Sequence, residues 1–121
     1  MPRRTGPTNP ALRRLINYLE KSSRENKAPV WRAVAEKLRK PTRMRAEVNV
    51  GKINKLYRED RILVVPGKVL AGGNLDKPVV VAAFKFSRQA IEKIKKAGGK
   101  ALSIEQVVVE NPKGRNVVIV T

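Results

Sequence analysis

A chain of 121 residues and 13.5 kDa, 41% hydrophobic and 31% charged, has room for one apolar core, and its 4% aromatic content makes that core aliphatic. Lys+Arg 27 against Asp+Glu 10 leaves a net charge of +17 and a sequence pI near 11.0, a self-repulsion that a polyanionic partner relieves. The absence of cysteine excludes disulfide scaffolds, thiol nucleophiles and thiolate metal sites, and the absence of histidine removes the commonest general base and the commonest metal ligand.

Residues 1–8 read as a flexible basic arm carrying Arg3 and Arg4, and residues 9–121 as a single α/β domain. No apolar segment follows the basic start, and the longest apolar run, VVVAAF at residues 79–84, falls far short of the roughly 20 residues that span a bilayer. A soluble, cytoplasmic protein without a membrane partner is expected. Asn9 and Pro10 have the form of an N-cap and first-turn proline, and Leu12, Leu15, Ile16 and Leu19 recur at the helical period. Arg13, Arg14 and Lys21 fall outside that stripe and are free to bind. SSRENKA reads as a polar break, after which Pro29 starts a second helix with Trp31, Val34, Ala35 and Leu38 inward. At that spacing Trp31 is a core residue rather than a stacking platform for bases. Pro41 ends the helix, because proline lacks the amide donor and clashes with the preceding turn.

Arg39, Lys40, Arg43 and Arg45 then crowd a short connector before EVNVGKI, where Val48, Val50 and Ile53 read as the inward side of a strand and Asn49 and Lys52 point out. A charge run held by elements at both ends is a positioned patch. Next come a short helical segment around residues 54–58, a buried strand at residues 62–65, a turn at Pro66-Gly67 and a second turn at Gly72-Gly73-Asn74. KPVVVAAFKFS is the strongest strand, a β-branched run suited to burial on both faces. Ser87 caps a helix with Ala90, Ile91, Ile94 and Ala97 inward, which Gly98-Gly99 ends. Ser103 and Gln106 have capping-box spacing for a short helix, in competition with the β-propensity of Val107, Val108 and Val109. NPKG turns the chain into a last strand, NVVIV.

None of the candidate catalytic or phosphate motifs is complete. In AGGKA, residues 97–101, the glycines follow a helix instead of preceding one, and Ala101 stands where a P-loop needs Ser or Thr. Lys93, Lys95, Lys96 and Lys100 complement the negative end of that helix. The paired glycines of VLAGGNL mark a turn or a close backbone approach, and in this charge context the approaching backbone can be that of RNA. Glu59 and Asp60 sit between Arg58 and Arg61 as surface ion pairs, no metal-ligand spacing exists, and no enzyme, cofactor or small-molecule substrate is expected. Residues 1–45 carry a net +10 and the other 76 carry +7, so the amino-terminal third, rich in arginine, dominates the footprint. Helix two offers no row of Asn, Gln and Arg to read base edges, and Phe84 and Phe86 are too few for a single-strand module, so shape and backbone recognition of folded RNA fits best. A chromatin-type DNA-binding protein and a small RNA-processing enzyme are the alternatives.

Three stretches, APVWRAVAEKLRKPTRMRAEVNVGKIN, KVLAGGNLDKPVVVAAFKFSRQAIEKIKKAGGKALSIEQVV and the terminal NPKGRNVVIV, resemble an archaeal large-subunit ribosomal protein family, L-eighteen-e, related to the carboxy-terminal part of bacterial large-subunit protein fifteen. The resemblance implies an irregular β/α arrangement with amino-terminal helices and a structural, rRNA-binding role beside neighbouring ribosomal proteins. It implies rRNA contacts at Arg39, Lys40, Arg43 and Arg45, with Lys68, Gly72, Gly73, Lys85 and Arg88 as a second surface. Arg3, Arg4, Arg13, Arg14 and Lys52 complete the set of expected RNA-binding residues.

Overall fold

The computed structural model describes residues 9–40 and 46–121. In chain order its elements are α1 (Pro10–Asn26), α2 (Pro29–Leu38), β1 (Ala46–Asn49), α3 (Val50–Lys55), β2 (Ile62–Leu70), β3 (Val80–Phe86), α4 (Arg88–Lys96), β4 (Lys100–Ser103), α5 (Ile104–Glu110) and β5 (Val117–Ile119). Every strand pairing among the described residues is parallel. The central pair is β2 and β3, with β4 beyond β3, while β5 and β1 share the other edge of β2, β5 along residues 62–64 and β1 along residues 67–70.

A parallel sheet needs cover on both faces, and strand alternation supplies it. Val64 and Ala82 point into one apolar cluster with the stripes of α1, α2 and α5. Leu63, Val65, Val81 and Ala83 point into the other, against Val50 and Ile53 of α3 and Ala90 and Ile94 of α4. Each fully buried Leu, Ile or Val contributes about 1.5–3 kcal/mol. The result is one α/β domain with helices first and an irregular β/α order after them.

The helical stripes and caps form as the sequence leads one to expect. Asn9 Oδ1 accepts from the Ala11 and Leu12 amides at 2.9 and 3.4 Å, Ser87 Oγ from the Ala90 amide at 3.1 Å, and Ser103 and Gln106 close their capping box. Trp31 is fully buried, and its indole Nε1 donates to the Pro112 carbonyl at 2.8 Å, tying α2 to the turn before β5. Helix wins over strand at residues 104–110 because the capping box starts it and Ile104, Val107 and Val108 make a buried helical face.

Four expectations need correction, and one element was missed. The break expected at SSRENKA shrinks to its last two residues, Lys27 (φ 52°) and Ala28: α1 runs to Asn26, because Ser22 and Ser23 fall on the continuation of the Leu15–Leu19 stripe and are buried, overriding their weak helix propensity. The first strand ends at Asn49, so Val50 and Ile53 are buried from α3 and not from a strand; their spacing of three shares a helical face but would fall on opposite faces of a strand. The short helix expected around residues 54–58 is this same α3, ending at Lys55. Pro66 and Gly67 do not turn the chain. They lie inside β2, where the register with β3 shifts between Val65 and Lys68, a bulge that absorbs the missing proline donor. The strand β4 was not foreseen in Lys100–Ser103, whose four residues show no alternation strong enough to read. Pro41 itself lies outside the described residues, and α2 ends at Leu38.

Candidate nucleic-acid interface

The expected RNA-binding cations among the described residues fall on two surfaces. The first is built by α1 and the end of α2. Because Leu12, Leu15, Ile16 and Leu19 fix the buried stripe of α1, Arg13, Arg14, Lys21 and Arg24 are exposed on a rigid rod. Arg39, the C-cap of α2, forms an ion pair with Glu20 of α1, with side chains 49% and 25% exposed. Lys40 follows it and is exposed. Arg3, Arg4, Arg43 and Arg45 lie outside the described residues, as does the arm expected at residues 1–8.

The second surface lies where β1, β2 and β3 end. Lys68 of β2 stands opposite Lys85 of β3 in register, and Glu47 of β1 stands opposite Lys68 on its other side. Lys85 Nζ lies 5.7 Å from the centroid of the Phe84 ring, within cation–π range. Arg88 is the first residue of α4, exposed, directly after the Ser87 cap. Lys52 projects from α3 and its Nζ donates to the main-chain oxygen of Thr121 at 2.5 Å.

Beside Lys52 sits the glycine turn, and here a close backbone approach is made within the chain, to Gly51 and Asn49. Gly73 adopts φ +85°, and a Cβ on it would meet Gly51 Cα at 2.8 Å; one on Gly72 would meet Asn49 Oδ1 at 2.6 Å. The Gly51 amide donates to the Gly72 carbonyl at 2.9 Å, and the Gly72 amide to Asn49 Oδ1 at 3.1 Å. Asn54 Oδ1 accepts from the Asp76 and Lys77 amides, both at 3.2 Å. Lys93 Nζ, reaching across from α4, donates to the carbonyls of Ala71 at 2.6 Å and Gly73 at 2.9 Å. Sequence reasoning missed Asn49, Asn54 and Lys93. An asparagine ending a strand and another inside a short helix, both against propensity, are the signal that was available.

The other glycine pair is a helix stop. Gly98, at φ +84°, donates to Lys95 O at 3.0 Å and Gly99 to Ile94 O at 2.9 Å, the two bonds of a Schellman motif. Arg58 and Arg61 donate to the carbonyls of Tyr57 and Leu56, at 3.0 and 2.9 Å, in place of the ion pairs expected with Glu59 and Asp60. No helix among the described residues is long and apolar enough to cross a membrane.

Fold and surface together define a class: a basic α/β protein of one domain that displays its cations on rigid elements. The comparison with known proteins goes further, since the chain belongs to the family of ribosomal protein 60S L18 and 50S L18e, whose profile matches residues 2–121. Large ribosomal subunit protein eL18 of Pyrobaculum aerophilum is 50% identical over 119 residues, 98% of each chain. The protein of the same name from Archaeoglobus fulgidus is 52% identical over 110 residues, 91% of this chain and 94% of that one. That from Methanopyrus kandleri is 50% identical over 121 residues, covering 96% and 95%. The family is one of structural ribosomal proteins, not of enzymes.

Proposed function

We propose that this protein is a structural constituent of the large ribosomal subunit, in the cytoplasm, and that it binds and stabilises folded rRNA through basic, mainly phosphate-directed contacts. Its partners are large-subunit rRNA and neighbouring ribosomal proteins. Family membership supports the subunit. The observation that carries the RNA-binding part is the outward display of Arg13, Arg14, Lys52, Lys68, Lys85 and Arg88 from elements whose opposite sides are buried, in a chain of net charge +17. Cations on preordered backbone meet phosphates without the cost of about 1–2 kcal/mol per residue for ordering a chain.

Affinity for large-subunit rRNA measured against salt tests this. The expected result is a steep loss as salt rises, and a slope shallower by about one unit for each phosphate contact removed in Arg13→Ala/Arg14→Ala, with the fold unchanged. The paired change Arg43→Ala/Arg45→Ala is expected to act in the same direction. Salt-independent affinity, or equal affinity for duplex DNA in competition, would overturn the reading.

A further inference from the structure

The corner formed by β1, α3 and the glycine turn does more than hold the chain together. A shallow groove there is lined by Asn49, Gly51, Lys52, Asn54, Lys55 and the turn Gly72-Gly73-Asn74. The lining includes no carboxylate and no large apolar side chain; Asp76, whose amide Asn54 holds, is not part of it.

The hydrogen bonds sort donors from acceptors across this corner. Three consecutive carbonyls of the turn are consumed from within: those of Ala71 and Gly73 by Lys93 Nζ, and that of Gly72 by the Gly51 amide. The side-chain oxygens of Asn49 and Asn54 are likewise taken, each accepting from main-chain amides of residues 72–77. Because an amide side chain has one oxygen and one NH2, committing the oxygen inward leaves the NH2 as the outward group. The groove therefore offers donors: Nδ2 of Asn49 and Asn54, with the exposed ammonium groups of Lys52 and Lys55 at its rim. Phosphate and ribose-ring oxygens accept and do not donate. The groove also lies beyond the carboxyl ends of parallel strands, where open α/β sheets place their ligand crevices.

We propose that this groove is a preformed seat for a stretch of RNA sugar–phosphate backbone, with Asn49, Asn54 and Lys55 as its ligands and Lys93 as a positioning residue that contacts no RNA. The proposal rests on the rRNA-binding reading and adds to it which lysines touch the partner and which fasten the site. Lys55 makes the charged contact, because Lys52 is partly committed to Thr121.

Asn54→Asp is the sharpest test, since it keeps the oxygen that orders residues 76 and 77 and replaces the outward NH2 by a carboxylate oxygen. With the full chain and large-subunit rRNA, this variant should keep the wild-type thermal midpoint within a few degrees and lose about tenfold or more in affinity, as expected when one charged-group hydrogen bond is lost. Lys55→Ala should make the salt slope shallower by about one unit. Lys93→Met should speed hydrogen exchange at the Gly51 amide and weaken binding without a shallower slope, and Lys93→Arg should restore both. Wild-type affinity in Asn54→Asp and Lys55→Ala together, or a slope reduced by one unit in Lys93→Met, would overturn the assignment. A wild-type chain that fails to bind rRNA would instead overturn the reading beneath it.

Discussion

The α1–α2 side and the glycine corner both carry exposed cations, yet they use them in opposite ways. On α1 the backbone is satisfied within the helix and the stripe Leu12, Leu15, Ile16 and Leu19 does the packing, so Arg13, Arg14, Lys21 and Arg24 are left to the solvent. At the corner, backbone packs on backbone, and the turn's carbonyls are answered by a lysine side chain from another element. A lysine in such a place is a fastener before it is a ligand. The net charge of +17 is therefore an upper bound on what a polyanion meets.

Several changes would break or sharpen this contrast. The largest effect is expected from Trp31→Ala, which empties the centre of the helical side and removes the bond to Pro112, for a loss of about 3–5 kcal/mol in denaturant unfolding. Both apolar clusters share β2 and β3, so the glycine corner should unfold in the same transition. A separate transition at the corner would show the two regions to be independent.

Gly73→Ala comes next. It places a side chain at φ +85° and against Gly51 Cα, so the strain of the left-handed backbone alone costs about 1–2 kcal/mol and the contact adds to it. The reverse change on the helical side, Ala11→Gly, should cost at most about 1 kcal/mol, because an exposed helical position meets only propensity. Equal losses would remove the distinction between the regions. Ser87→Ala, which deletes the α4 cap beside Arg88, should cost about 1 kcal/mol and loosen the helix that carries Lys93, seen as faster amide exchange at residues 88–91. The smallest effect belongs to Glu20→Gln: the partly exposed pair with Arg39 contributes less than about 1 kcal/mol, and thermal unfolding should scarcely move.

The amino-acid sequence alone determined the class of this protein and most of its elements. Charge, the missing histidine and cysteine, the caps at Asn9, Ser87 and Ser103 and the apolar periods of α1, α2 and α4 are local properties, written within a turn or two of chain. The long-range contacts were decided only by tertiary structure. Ser22 and Ser23 are helical because α1 is buried there, Pro66 stays in a strand because a bulge takes it, and Val50 leaves the strand because the chain turns at Asn49 against a loop more than twenty residues away. The roles of Lys93, Asn49 and Asn54 are of the same kind. Sequence specifies which donors and acceptors a side chain carries, but which of them face inward depends on partners brought together from α3, α4 and the β2–β3 turn, and folding alone supplies those partners.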